Sequence, residues 1–213
     1  LELKKENKRR LQERLGLEQR DVPMLCMITR LANQKGIDIF AAAAETLMSR
    51  DIQFVLLGTG EKEYEDMFRY FENRWKGRFS SCIMFDDALA QKMYASSDMF
   101  LMPSKFEPCG LGQMFSLRYG SVPVVRKTGG LADTIEMFDE NTGKGNGFLF
   151  ETYDAGGIIW AVDEALKVYY NENEWKRLVK NCMETKLSWS ESAEKYIDVY
   201  KERNSEFEIL FSY

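Results

Sequence analysis

The sequence predicts a doubly wound α/β domain built on a parallel sheet. Three observations carry this. Short unbroken apolar runs such as PMLCMIT and DMFLMP read as strands buried on both faces. Segments with apolar residues at helical spacing alternate with them. Several of the strand-like runs end in turns that carry glycine and lead directly into a helix.

The elements follow in order. The opening LELKKENKRRLQERLGL is a charged amphipathic helix that stops near Gly16, and PMLCMIT (23–29) is a buried strand. After the loop RLANQKG, residues Ile37, Phe40, Ala41, Ala44 and Leu47 recur at helical spacing. IQFVLLG is the next strand; it ends at Gly58-Thr59-Gly60 and leads into the helix EKEYEDMFRYFENRW. SCIMF is a strand, ALAQKMYASS a helix, DMFLMP a strand and LGQMFSLRYG a helix. VPVVR is a strand, GLADTIEMF a short helix and GFLF a last short strand. Only helices remain, over 155–170, 172–186 and 189 to about 204. Ile158, Val162, Ala165, Leu166 and Tyr169 mark the inner face of the first of these, and Trp189, Ala193, Tyr196, Ile197 and Tyr200 that of the last.

Composition narrows the function. The 213 residues suffice for one sizeable core, or one domain and an appendage. A net charge of -5 argues against a nucleic-acid surface. No apolar run approaches the roughly 20 residues of a membrane span. Cys26, Cys82, Cys109 and Cys182 form no CxxC pair and read as free thiols of a cytoplasmic protein. Histidine is absent, which removes Ser-His-Asp and Cys-His catalysis and His-based zinc sites from this chain. The chain begins at Leu1 rather than Met and carries no visible signal peptide, so it reads as a piece of a longer protein.

In a doubly wound sheet, ligands bind outside the carboxyl ends of the strands, which directs attention to loops 30–36, 58–60, 104–112 and 126–130. In the first, Arg30 and Lys35 flank Asn33-Gln34; two cations there suit a phosphate or diphosphate, or are two solvated charges. Gly58-Thr59-Gly60 either lets a ligand approach the backbone or is only a tight turn. In SKFEPCGLGQM, Gly110 and Gly112 straddle a helix start whose free amides suit an anion. Glu107 either caps that helix or accepts hydrogen bonds from ligand hydroxyls, so that one turn would hold both ends of a sugar phosphate. Gly129-Gly130 brings another backbone close to a ligand. Phe85 is a candidate base-stacking ring or a core residue. Asp86-Asp87 is a helix cap rather than a metal site, because adjacent residues of a strand point apart.

The string SKFEPCGLGQM with LRYGSVPVVRKTGGLADTI closely resembles the signature region of bacterial glycogen synthases and plant starch synthases. TRLANQKGIDI resembles their arginine-and-lysine loop, NKRRLQERLGL the helix that opens their second half, and LSWSESAEKYIDVY their closing helix. The resemblance implies a GT-B glycosyltransferase, two Rossmann-like halves around a cleft, of which this chain is the carboxyl-terminal half. Residues 1–187 would be the nucleotide-sugar-binding domain, and 188–213 a closing helix and tail that cross back to the amino-terminal acceptor domain. The reaction implied is transfer of glucose from ADP-glucose to the non-reducing 4-OH of an α-1,4-glucan, with retention and with neither metal nor cofactor. The enzyme would be cytoplasmic, or plastidic in a plant.

Carried over by motif position, Arg30, Lys35 and Glu107 form the catalytic set: the two cations neutralise the diphosphate and the carboxylate binds glucose hydroxyls. The amides of Cys109 and Gly110 would meet glucose, and those of Leu111 and Gly112 phosphate. Phe85 would face the adenine, Gly58, Gly60, Gly129 and Gly130 would line the donor, Pro108 would fix the turn and Phe106 would anchor it in the core. The chain departs from the family in three ways. Phe115 stands where some related glycosyltransferases have a second glutamate, an absence usual in glycogen synthases; Gly112 stands where many bacterial relatives have Thr; and the family's Lys-x-Gly-Gly loop and active-site His are missing. The chain alone is therefore expected to fold but not to synthesise glucan. The rival readings are a UDP-glucose-dependent GT-B enzyme, which EPCGL disfavours, and a non-catalytic nucleotide- or glucan-binding module. The apolar tail residues Ile209, Leu210, Phe211 and Tyr213 are expected to dock on the other half.

Overall fold

The computed structural model describes residues 2–189, 193–194 and 196–202. Six strands, β1 (Met24–Ile28), β2 (Gln53–Leu57), β3 (Phe79–Cys82), β4 (Met99–Met102), β5 (Val122–Arg126) and β6 (Phe148–Phe150), form one parallel sheet in the order β3-β2-β1-β4-β5-β6. Eight helices accompany it: α1 (Glu2–Leu15), α2 (Ile37–Met48), α3 (Lys62–Arg74), α4 (Asp87–Ser96), α5 (Gly112–Arg118), α6 (Gly129–Thr134), α7 (Ala155–Tyr169) and α8 (Glu172–Glu184). None of the described helices is long and apolar enough to cross a membrane.

The unbroken apolar strands divide by the two-residue pleat. Leu25, Met27, Phe54, Leu56, Phe79, Met99 and Leu101 join one core with α2, α3 and α7. Met24, Cys26, Val55, Leu57 and Phe100 join a second core with α1 and α4. Burial on both faces is why the strands read as continuous rather than alternating. The first core is heavily aromatic: Phe40, Phe54 and Phe68 lie ring against ring at 4.7 and 5.6 Å, and Phe79 stacks on Phe54 at 4.9 Å.

Three expectations are corrected. The third strand occupies 79–82 rather than 81–85, because its ladder pairs Phe54 with Phe79 and Leu57 with Cys82. Met84 and Phe85 thus run past the sheet and are exposed. Phe106 is 55% exposed and not in the core. The described residues of the final helix, 189–202, do not pack inward: Trp189 is 87% exposed, and Ala193, Tyr196, Ile197 and Tyr200 are exposed as well. The tail 203–213, and with it the expected docking of Ile209, Leu210, Phe211 and Tyr213, lies outside the described residues.

Helix α1 is fastened by polar groups that its charged pattern did not reveal. The Lys8 ammonium is buried, 2.6 Å from Asp98 Oδ2, and donates to Val22 O at 2.7 Å. The Met24 amide donates to the same Asp98 oxygen at 2.7 Å. Gln12, fully buried, donates to Arg20 O and to Gln53 Oε1.

Candidate active site

The sheet order reverses between β1 and β4, so the crevice outside their carboxyl ends is where this topology binds ligands. Two loops meet there. After β1, a 3-10 turn at Asn33–Lys35 ends at Gly36, whose φ of 72° needs glycine; a Cβ there would lie 2.0 Å from Pro103 O. That close approach lets the backbones join: the Lys105 amide donates to Gln34 O at 2.9 Å and Gln34 Nε2 to Phe106 O at 3.0 Å. Lys35 is thereby brought onto Glu107, Nζ to Oε2 2.6 Å, and Ser104 Oγ donates to the same oxygen at 3.2 Å. Glu107 is buried and caps no helix.

Arg30 is exposed and makes no ion pair among the described residues. It borders a cleft of about 500 Å³ that Thr29, Gly58, Gly60, Met84 and Phe85 also line. Phe85 is 83% exposed at that cleft, so its ring face is open. Arg30, Gly58, Gly60 and Phe85 thus share one cavity, while Lys35 and Glu107 form a separate pair on the adjoining loops.

The glycines of these turns lie against the protein's own backbone. A Cβ on Gly58 would lie 1.9 Å from Thr29 O, and one on Gly60 2.1 Å from Leu31 O. The Gly60 amide donates to Glu65 Oε1 at 3.1 Å, beside the Thr59 hydroxyl at 2.7 Å, so it is not open to a ligand. Those two donors hold the Glu65 carboxyl below its usual range. On Gly129 and Gly130, a Cβ would meet Glu107 O at 2.2 Å and Cys109 O at 2.1 Å, and the Gly130 amide donates to Glu107 O at 3.0 Å. All four positions need glycine because two backbones touch. At Gly112, a Cβ would press on the Phe100 ring at 3.0 Å, so this position suits a helix start laid on β4.

The turn itself leaves the amides of Cys109, Gly110 and Leu111 without acceptors among the described residues. Gly110, at φ 77°, lies over Gln113. Gln113, fully buried, donates from Nε2 to Cys109 O, Gly110 O and Thr134 Oγ1 at 3.0–3.2 Å. On the other side Arg126 donates from Nε to Ser104 O at 3.0 Å and lies over the Tyr153 ring at 5.4 Å. Tyr153 donates to Asp38 at 2.6 Å; burial and that carboxylate push its hydroxyl pKa up. Sequence reasoning placed Ser104 and Gln34 in candidate loops without giving them a role, and it missed Gln113 and Tyr153; a lone amide in the apolar run QMFSL was the visible signal for Gln113. Asp86 is the α4 cap, accepting from the Leu89 amide at 2.8 Å, and no group of metal-ligating side chains exists among the described residues.

Residues 8–184 match the glycosyl transferases group 1 family. The chain belongs to that family. Among group 1 glycosyltransferase relatives, it is 52% identical over 200 residues to a glycogen synthase of Clostridium botulinum (strain Eklund 17B / Type B), covering 93% of this chain and 42% of that protein. It is 54% identical over 202 residues to a glycogen synthase of Thermosipho africanus (strain TCF52B), covering 94% and 42%. The catalytic domain of Starch Synthase IV from Arabidopsis thaliana, solved bound to ADP and acarbose, superposes with a TM-score of 0.85 at 38% identity, covering 93% of this chain and 42% of that one. The chain thus spans about 42% of the length of these relatives.

The four thiols of this group 1 chain differ in reactivity. Burial pushes Cys26 and Cys182 up to about 12 and raises Cys82, whereas Cys109 is exposed on the turn. One fast-reacting thiol is expected with Ellman's reagent at pH 8, lost in Cys109→Ser. A second equally fast thiol in the folded chain would contradict this arrangement.

Proposed function

We propose that this chain is the carboxyl-terminal, donor-binding half of a glycogen synthase. The whole enzyme transfers glucose from ADP-glucose to the non-reducing end of an α-1,4-glucan, with retention. The observation that carries the reading is the meeting of Lys35 and Glu107 at the sheet's reversal point, beside the amides of Cys109, Gly110 and Leu111, which have no acceptor among the described residues. A cation, a carboxylate and a row of amide donors are the groups that a sugar diphosphate requires.

In this reading Lys35 and Arg30 hold the diphosphate and stabilise the charge that develops as it leaves, so neither metal nor cofactor takes part. Glu107 accepts from glucose hydroxyls, and the turn amides, with Gly112 at the helix start, hold glucose and phosphate. The adenine lies on Phe85 in the cleft that Arg30, Gly58 and Gly60 border. Gly129 and Gly130 support the turn from behind. The likeness to glycogen synthases and to a starch synthase solved with ADP supports the choice of adenine nucleotide. The amino-terminal half supplies the acceptor site and the histidine this chain lacks, so the chain alone binds donor without synthesising glucan.

Calorimetric titration with ADP, UDP, ADP-glucose and UDP-glucose tests the reading. Adenine nucleotides are expected to bind more tightly than uridine ones. Phe85→Ala is expected to weaken ADP by roughly tenfold, the scale of one base-stacking contact. Preference for the uridine nucleotides would move the assignment to a UDP-glucose enzyme.

A further inference from the structure

Lys35 and Glu107 face each other, not open solvent. Their side chains are 19% and 10% exposed, and among the described residues Ser104 is the other hydrogen-bond donor to the paired oxygen. The loops that carry them are tied together through Gln34, Lys105 and Phe106 and by the contact of Gly36 with Pro103. The loops are therefore held in place, and the group free to change partner is the lysine ammonium on its four-carbon stem.

This inference rests on the donor-site reading above, in which one partner binds diphosphate and the other sugar hydroxyls. A nucleoside diphosphate that draws the ammonium away leaves Glu107 with Ser104 alone. A nearly buried carboxylate short of donors is costly. A nucleotide sugar avoids that cost, because its hydroxyls replace the hydrogen bonds that the ammonium gave up.

We propose that the Lys35–Glu107 ion pair selects loaded donor over spent nucleotide: both partners are exchanged together only when diphosphate and sugar arrive as one molecule. After transfer, the sugar no longer satisfies Glu107. The carboxylate then recaptures Lys35 and loosens the hold on the nucleoside diphosphate product. Glu107 thus has a second task, which is product release.

The test is a double-substitution cycle read by calorimetry, with ADP and ADP-glucose as probes. The proteins are the parent chain, Glu107→Gln, Lys35→Ala and the double variant. Glu107→Gln is expected to bind ADP roughly five- to thirtyfold more tightly than the parent, because Lys35 is no longer held by a competitor. The preference for ADP-glucose over ADP is expected to shrink at the same time. In the Lys35→Ala background the gain should vanish. Glu107→Asp, which shortens the reach of the carboxylate, should move ADP affinity the same way by a smaller factor and covers the case in which the Gln variant misfolds.

Unchanged or weaker ADP binding in Glu107→Gln would overturn the proposal while leaving the donor site intact. So would an equal gain in the Lys35→Ala background, since simple repulsion by the carboxylate would then explain it. The donor-site reading itself fails if the parent binds no ADP, or if Lys35→Ala leaves ADP binding untouched, and the proposal fails with it.

Discussion

Replacing Lys35 by Ala in the two-domain enzyme proposed here is expected to lower the rate of glucosyl transfer by about 10²–10³-fold, the usual effect of removing one preorganised donor from developing charge. In the proposed reaction charge would grow on the leaving diphosphate as its bond to the sugar breaks, and Lys35 and the exposed Arg30 would be the two cations that meet it. The loss should fall on kcat more than on KM, because the interaction strengthens towards the transition state. Lys35→Arg should restore little, since a planar guanidinium does not fit where a compact ammonium sits 2.6 Å from Glu107. The measurement is initial-rate transfer from ADP-glucose to a glucan primer. A loss below about threefold would remove Lys35 from the catalytic set.

The largest stability effect is expected at the opposite end of the same strands. Asp98→Ala should lower the unfolding free energy by about 3–5 kcal/mol, the scale for stripping a buried charge of its partner. Lys8 would keep its bond to Val22 O but lose its counter-ion, and the Met24 amide at the start of β1 would lose its acceptor. The paired change Lys8→Met with Asp98→Leu should recover most of that loss, because no uncompensated charge remains. Urea unfolding checks both; equal stabilities of Asp98→Ala and the parent would refute the role given to this pair. The neighbouring Lys4 sharpens the reading with pH. It donates to Tyr94 O and Tyr119 O, and burial pushes its amine down to about 8 from 10.5. The unfolded chain binds more protons than the folded one between those values, so this group's contribution to stability rises with pH from 8 upward.

The fold was legible because its determinants are local. Strand after strand carries an unbroken apolar run, and helix after helix a 3.6-residue stripe. The exception is instructive. Phe79–Cys82 pairs with β2 although Ser80 and Ser81 are polar, because Glu72 accepts from both hydroxyls and from the Ser81 amide. The more apolar stretch Ile83–Met84–Phe85 attracted the reading and runs beyond the sheet instead. The glycines marked tight turns and room for a close approach, but not what lies against them: at Gly58, Gly60, Gly129 and Gly130 it is the protein's own backbone. For the last helix the periodicity marked an apolar face without naming its partner, and its described residues Trp189, Ala193, Tyr196, Ile197 and Tyr200 are exposed. The roles of Gln113, Arg126 and Asp98 depend on neighbours far off in sequence, so spacing held no sign of them. Residues such as Glu107 and Lys35 stood out for the opposite reason, since their motif strings are distinctive and adjacent to predicted strand ends.

The ladder between β1 and β4 is the narrowest in the sheet, with Leu25 opposite Met99 and Cys26 opposite Phe100, where β1 and β2 match along five residues. Lys8 and Asp98 close that seam below, and Lys35 and Glu107 close it above. The strands β1-β2-β3 and β4-β5-β6 are therefore two half-sheets riveted at both ends of a short joint, a natural boundary between cooperative folding units. If the upper rivet is also the pair that binds the donor, as proposed above, occupancy of the site and cohesion of the two units become a single mechanical variable: whatever draws Lys35 away transfers the task of holding the halves together to the ligand itself.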